Sequence, residues 1–139
     1  MAGAADVSDH VALLEKCLQN YDRDNWTSYT CTFTKQERLR GKLLPEQDIQ
    51  AKFRANPFSV AMTWTKNAPT GDALVYVEGK YPDGNGKSQM IVRPTSPLLR
   101  AITGGSVLRL PDGDDAMKNT LRPCTQFGLR NSLLNLLEV

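Results

Sequence analysis

The residues of this chain best equipped for chemistry are one histidine, His10, and three cysteines, Cys17, Cys31 and Cys124. A catalytic triad draws its members from distant loops. Ser8 and Asp9 instead adjoin His10 at the head of a helical pattern, so His10 reads as a solvent-facing or capping residue. The cysteines are too widely spaced for a zinc or redox motif. An odd count argues against a complete disulfide framework. It leaves one bridge with a free thiol, or three small buried residues; the second is preferred because free cysteine is among the most buried residue types. Asp112, Asp114 and Asp115 surround Gly113 but lack the bidentate glutamate that completes an EF-hand, so they read as an acidic turn. Asp83–Gly86 reads as a hairpin turn and not a phosphate loop, since no helix start follows it. Thr103–Gly105 lacks the Lys-Ser/Thr of a P-loop. Glu37 and Glu46 bracket a turn, where such charges keep a hairpin soluble and do not form an acid–base pair. No catalytic residue, metal ligand or cofactor is assigned.

Lys35, Arg38, Arg40, Lys42, Lys52 and Arg54 cluster around Phe33 and Phe53, a mixture that can stack single-stranded nucleic acid. Against that stands a net charge of only +2, from 17 basic and 15 acidic residues. Nucleic acid is therefore not expected as a partner. No apolar run approaches the ~20 residues of a membrane span. The N-terminus has neither a basic lead nor a long apolar core, so no signal peptide is read. That leaves a cytosolic protein, or a mature exported domain behind an added start codon.

The elements that must position these side chains are mostly strands. Val7, Val11, Leu14, Leu18 and Tyr21 mark one amphipathic helix, capped by Ser8 and stopped at Tyr21–Asp24. Trp26–Arg38 has the Thr, Tyr and Phe content of a strand. Tyr29, Cys31 and Phe33 face one way, and Ser28, Thr30, Thr32 and Thr34 the other. Leu39–Pro45 reads as a turn. Strands follow at Glu46–Ala55, at residues 58–65, at Ala73–Gly79 and at Lys87–Arg93. After Arg93 a loop rich in Pro and Gly follows, with a short strand at Ser106–Leu110. Thr125 caps a last helix, Gln126–Leu137, whose apolar side is Phe127, Leu129, Leu133, Leu136 and Leu137. The connections are too short for parallel crossovers. The expectation is one α+β domain spanning 1–139: a curved, open antiparallel sheet covered by an N-terminal and a C-terminal helix.

On that sheet Tyr29, Phe33, Phe53, Phe58, Met62, Trp64 and Tyr76 form the aromatic and thioether set. They read either as the core beneath the helices or as an apolar groove that the helices only partly fill.

From Tyr29 the sequence resembles a bacterial family of domains of unknown function, through YTCTFTKQERLRGKLLPEQ, KFRANPFSVAMTW, ALVYVEGK and the C-terminal RPCTQFGLRNSLLNLLEV. That family is similar to the LolA/LolB-like lipoprotein carriers. The resemblance implies an incomplete barrel holding an acyl chain, with no catalytic residue, in the periplasm or cell envelope. It also implies relatives with an export signal and further strands, and hence that this chain is a fragment or shortened member. Two functions are expected in that order. The first is non-enzymatic binding of an apolar or acyl ligand, such as a lipid or lipoprotein acyl chain, on the concave face. The alternative is a structural domain that self-associates through its sheet edge into a homo-oligomer without ligand.

Overall fold

The computed structural model describes residues 9–138. The chain divides into two compact units, residues 28–125 and the segments 1–27 with 126–139.

The larger unit is a six-stranded sheet in meander order. Its strands are β1 (Ser28–Lys35), β4 (Gln47–Arg54), β5 (Ser59–Lys66), β6 (Gly71–Val77), β7 (Met90–Pro94) and β8 (Val107–Arg109). Every neighbouring pair is antiparallel. The sheet does not close: β1 and β8 are its two ends. The segment expected as a plain turn after β1 carries two short strands, β2 (Arg38–Leu39) and β3 (Lys42–Leu43). Arg40 and Gly41 between them both have positive φ, 50° and 78°, the conformation that matches a two-residue hairpin to the twist of its strands. The Leu44 N–H donating to the Glu37 carbonyl at 2.9 Å carries the pairing on toward β4.

Ile49, Ala51, Val60, Met62, Tyr76 and Met90 are buried. All project from one side of the sheet, because the register sets Ala51 opposite Met62 and Val60 opposite Tyr76. Ile49 and Val60 are essentially inaccessible, and each contributes roughly 1.5–3 kcal/mol of apolar burial.

Two register shifts break the ladder. One lies beside Asp48/Ile49, where Thr65 is the extra residue; the other lies between Gly71 and Ala73, where Asp72 is. A bulge re-aims a side chain. Here the Asp72 carboxylate accepts from Arg93 Nε at 2.6 Å and from Arg100 Nη2 at 2.5 Å.

Arg100 belongs to a helix that the loop reading of residues 94–105 missed, α2 (Pro97–Thr103). Its signals are local. Ser96 Oγ caps the Leu99 N–H, Pro97 occupies the first turn, and Gly104 closes the end. The expected short strand is present as β8. The acidic turn is also more ordered than expected, since α3 (Asp114–Met117) begins inside it.

The second unit pairs α1 (His10–Asp24) with α4 (Leu129–Leu137). Arg130 Nε and Nη2 reach Asp22 Oδ1 and Oδ2 at 2.9 and 3.4 Å. α1 ends at Asp24, within the expected stop, and Asn25 caps it at φ 50°. Ser8 and Val7, expected as cap and first apolar residue, lie outside the described residues. Leu14, Leu18 and Tyr21 are half-buried, whereas Val11 is exposed. The last helix starts at Leu129 and not Gln126, because Cys124–Gln126 forms a 3₁₀ turn and Gly128 precedes the helix at φ 129°. Leu129 and Leu136 are exposed, against the expected stripe, while Leu133, Leu134 and Leu137 are half-buried. No helix among the described residues is long and apolar enough to cross a membrane.

Gly71 is buried, and a Cβ there would collide with Val92 Cγ1 and crowd the Arg93 carbonyl. Gly71→Ala is expected to destabilise the protein by about 1–3 kcal/mol in chemical denaturation, the usual cost of overpacking. An unchanged midpoint would show that the bulge absorbs the methyl group.

Candidate functional site

The alternation of β1, β4 and β5 gives the sheet two unlike faces. The aromatic side holds six of the expected groove residues in register rows. Tyr29 pairs with Phe53, Phe53 with Val60 and Val60 with Tyr76. Phe33 pairs with Ile49, and Ile49 with Trp64. Phe58, just before β5, joins them. Tyr29 stacks on Phe53 at 4.8 Å, Phe53 meets Phe58 edge-on at 5.6 Å, and Phe58 meets Tyr76 at 6.1 Å. Trp64 Nε1 donates to Gln47 Oε1 at 3.0 Å. Met62 and Tyr76 are each 8% exposed. The rings thus contact one another along the sheet, and two members of the set are core.

The opposite side is open. Thr30, Thr32, Gln50, Lys52, Ala61 and Thr63 line a recess of about 700 Å³. That volume lies within the range of small-molecule sites. The Thr residues follow from the pleat: successive side chains alternate, so the partners of Tyr29, Cys31 and Phe33 on β1 must face away. The same alternation divides the basic set that surrounds Phe33 and Phe53 in the sequence, leaving Lys35 on the aromatic side. Lys52 and Arg54 lie on the threonine side, and Phe33 and Phe53 on the other. Sequence reasoning missed this recess because it followed the apolar half of the alternation. The available signal was the run Thr30, Thr32, Thr34 laid against Gln50 and Lys52.

The charged groups considered for chemistry are structural. Glu37 accepts the Leu121 N–H at 2.9 Å and the Thr120 hydroxyl at 3.0 Å, and it pairs with Lys35 Nζ at 2.9 Å. Thr120 Oγ1 also accepts from Lys35 Nζ at 3.2 Å. Burial alone would raise the Glu37 pKa; the Leu121 N–H, then Lys35 and Thr120, outweigh it and hold the carboxyl below its ordinary 4.5. Glu46 pairs instead with Lys66 at 3.1 Å in an exposed position. The Arg93 hydrogen bond chiefly lowers the Asp72 pKa, aided by the charges of Arg100 and Arg93. His10 is exposed. Asp83 behaves as a turn residue, its Oδ1 accepting the Asn85 and Lys87 N–H groups at 2.9 Å.

All three cysteines are free. Cys17 is exposed, contrary to the expectation of three buried thiols. Cys31 is half-buried. Cys124 Sγ lies 3.9 Å from Met90 Sδ, and burial pushes its thiol up to about 12. A nucleophilic cysteine needs the reverse shift. No group of His, Cys, Asp and Glu among the described residues could hold a metal ion.

Together these features define an α+β fold with an open antiparallel meander and a recess on one face of the sheet. The chain belongs to the family described as protein of unknown function (DUF1571), whose model matches residues 26–139. No curated protein and no solved structure gives a match.

Two outcomes are expected. Because the folded-state pKa of Glu37 is depressed, its stabilisation is full above the unfolded value of 4.5 and is lost as pH falls through the lower folded value. Glu37→Gln should cost about 1–3 kcal/mol at neutral pH, and the gap from wild type should narrow steadily as denaturation is repeated at lower pH. A pH-independent gap would contradict the role given to the charge. With a chromogenic disulfide reagent, Cys17 should react first and Cys124 only on unfolding, as read by peptide mapping. Fast labelling of Cys124 in the native protein would refute its burial.

Proposed function

We propose that this domain is a non-enzymatic carrier or binding module for an apolar or acyl ligand, seated on the open face of the sheet. The observation that carries the reading is the recess between β1, β4 and β5, together with its apolar continuation along the same face. Val75 is 46% exposed and Leu108 is 42% exposed, and Ile91 lies between them in register. Exposed apolar area continuous with a recess marks a binding surface. The kinship to LolA/LolB-like carriers implied by the sequence belongs to this reading, as does a place in the cell envelope. The structural roles of Glu37, Asp72 and Cys124 favour binding over catalysis.

A second reading is supported by β1, an eight-residue strand at the end of the sheet with β4 as its strand neighbour. Long edge strands can pair between copies. Native mass spectrometry of the purified protein separates the two. Co-purified acyl ligand on a monomer is expected, and Val75→Asp should abolish it while leaving the circular dichroism spectrum intact. Ligand retained by Val75→Asp would move the site to the aromatic side. A ligand-free dimer would favour edge pairing.

A further inference from the structure

We infer that the occupant of this face is a single-chain amphiphile with a carboxylate head, a fatty acid, whose head meets Lys52 and whose chain crosses Ala61, Val75, Ile91 and Leu108. The inference deepens the carrier reading above and rests on it.

One register row runs across all six strands. Thr30 pairs with Lys52, Lys52 with Ala61, Ala61 with Val75, Val75 with Ile91 and Ile91 with Leu108. Residues in such a row share one face, so the row is polar at the β1 end and apolar at the β8 end. Strands lie about 4.8 Å apart, so Lys52 to Leu108 is four steps, or roughly 19 Å. A long acyl chain laid across the strands has the length and the polarity to match. A short or uniformly apolar ligand leaves one end of the row mismatched.

The head chemistry follows from the charges on this face. Lys52 is the one charged residue lining the recess. It has no ion-pair partner among the described residues. Other charges lie nearby, and of these Arg54, next but one along the strand and on the same face, also has no ion-pair partner among the described residues. Asp48 Oδ1 accepts the Thr34 hydroxyl at 2.7 Å, Arg93 is held by Asp72, and Arg54 Nη2 reaches Ser59 Oγ at 3.5 Å. Within the recess, one ammonium beside the Thr30, Thr32 and Thr63 hydroxyls and the Gln50 amide matches one negative charge and several lone pairs. That favours a carboxylate over a doubly charged phosphate.

The test is calorimetric titration of the full chain with oleate and with oleyl alcohol, each below its aggregation threshold. The two share a chain length and differ in the head. Lys52 is exposed, so Lys52→Gln should fold normally. It should weaken oleate binding about tenfold, the worth of one charge-assisted hydrogen bond, and leave oleyl alcohol unchanged. Lys52→Arg should restore oleate. Oleate and oleyl alcohol binding alike, with Lys52→Gln affecting neither, would overturn the head assignment and leave the acyl site standing. Loss of oleate on Arg54→Gln but not on Lys52→Gln would also overturn it. Failure of both ligands to bind the wild-type protein would overturn the carrier reading itself.

Discussion

The pairing of β4 with β5 is the constraint on which the sheet depends. Among the described residues, these two strands supply Ile49, Ala51, Val60 and Met62, four of the six buried hydrophobic side chains of the core. Their register places those side chains on one face, and a slip of one residue would turn all of them to the other. Ala51 opposite Met62 sets a small residue against a long one, which lets the row interdigitate. Neighbouring strands inherit that choice. β1 presents Tyr29, Cys31 and Phe33 to the buried side because Phe53, Ala51 and Ile49 already lie there. Thr30 and Thr32 are thereby left on the open face beside Gln50 and Lys52.

Polar anchors tie the irregular segments to this frame. The Glu37 carboxylate binds the backbone of Leu121 from more than eighty residues away, which fixes the chain beyond α3 against the first hairpin. Asp72, turned by the bulge, bridges β7 and α2 through Arg93 and Arg100. Both carboxylates are held ionised by the donors around them. They are committed to holding loops, which separates them from groups poised near neutral pH for proton transfer. Cys124 is likewise withdrawn from reactivity, by burial rather than by pairing.

The two faces of the sheet differ in what they leave for a partner. On the aromatic side Tyr29, Phe53, Phe58 and Tyr76 form one line of ring contacts, and the indole of Trp64 is bonded to Gln47. Such rings gain packing energy from one another. The threonine side has Lys52 in its recess, small side chains at Ala61 and Ala73, and half-exposed Val75 and Leu108. Small residues in a row of larger ones make a depression. A change from Thr and Lys to Val, Ile and Leu along the same row makes that face amphipathic.

The residue order by itself determined the strands and their sidedness. The period of two in Tyr29–Phe33, Ile49–Phe53 and Val60–Trp64 is a local property, and turn chemistry at Asp83–Gly86 and Gly41 limits how successive strands can meet. The short helix α2 was also written locally, in Ser96, Pro97 and Gly104, but was obscured by the Pro and Gly content around it. The start of α4 was harder to read, because Gln126 and Phe127 have helical spacing while Gly128 interrupts the backbone. Only the tertiary structure decided which face stays open, which residue the bulge turns outward, and that Glu37 meets Leu121. Those outcomes depend on cross-strand register and on contacts between residues far apart in the chain. No window of neighbouring residues encodes them, because the partner that fills or leaves a space is supplied by a different strand.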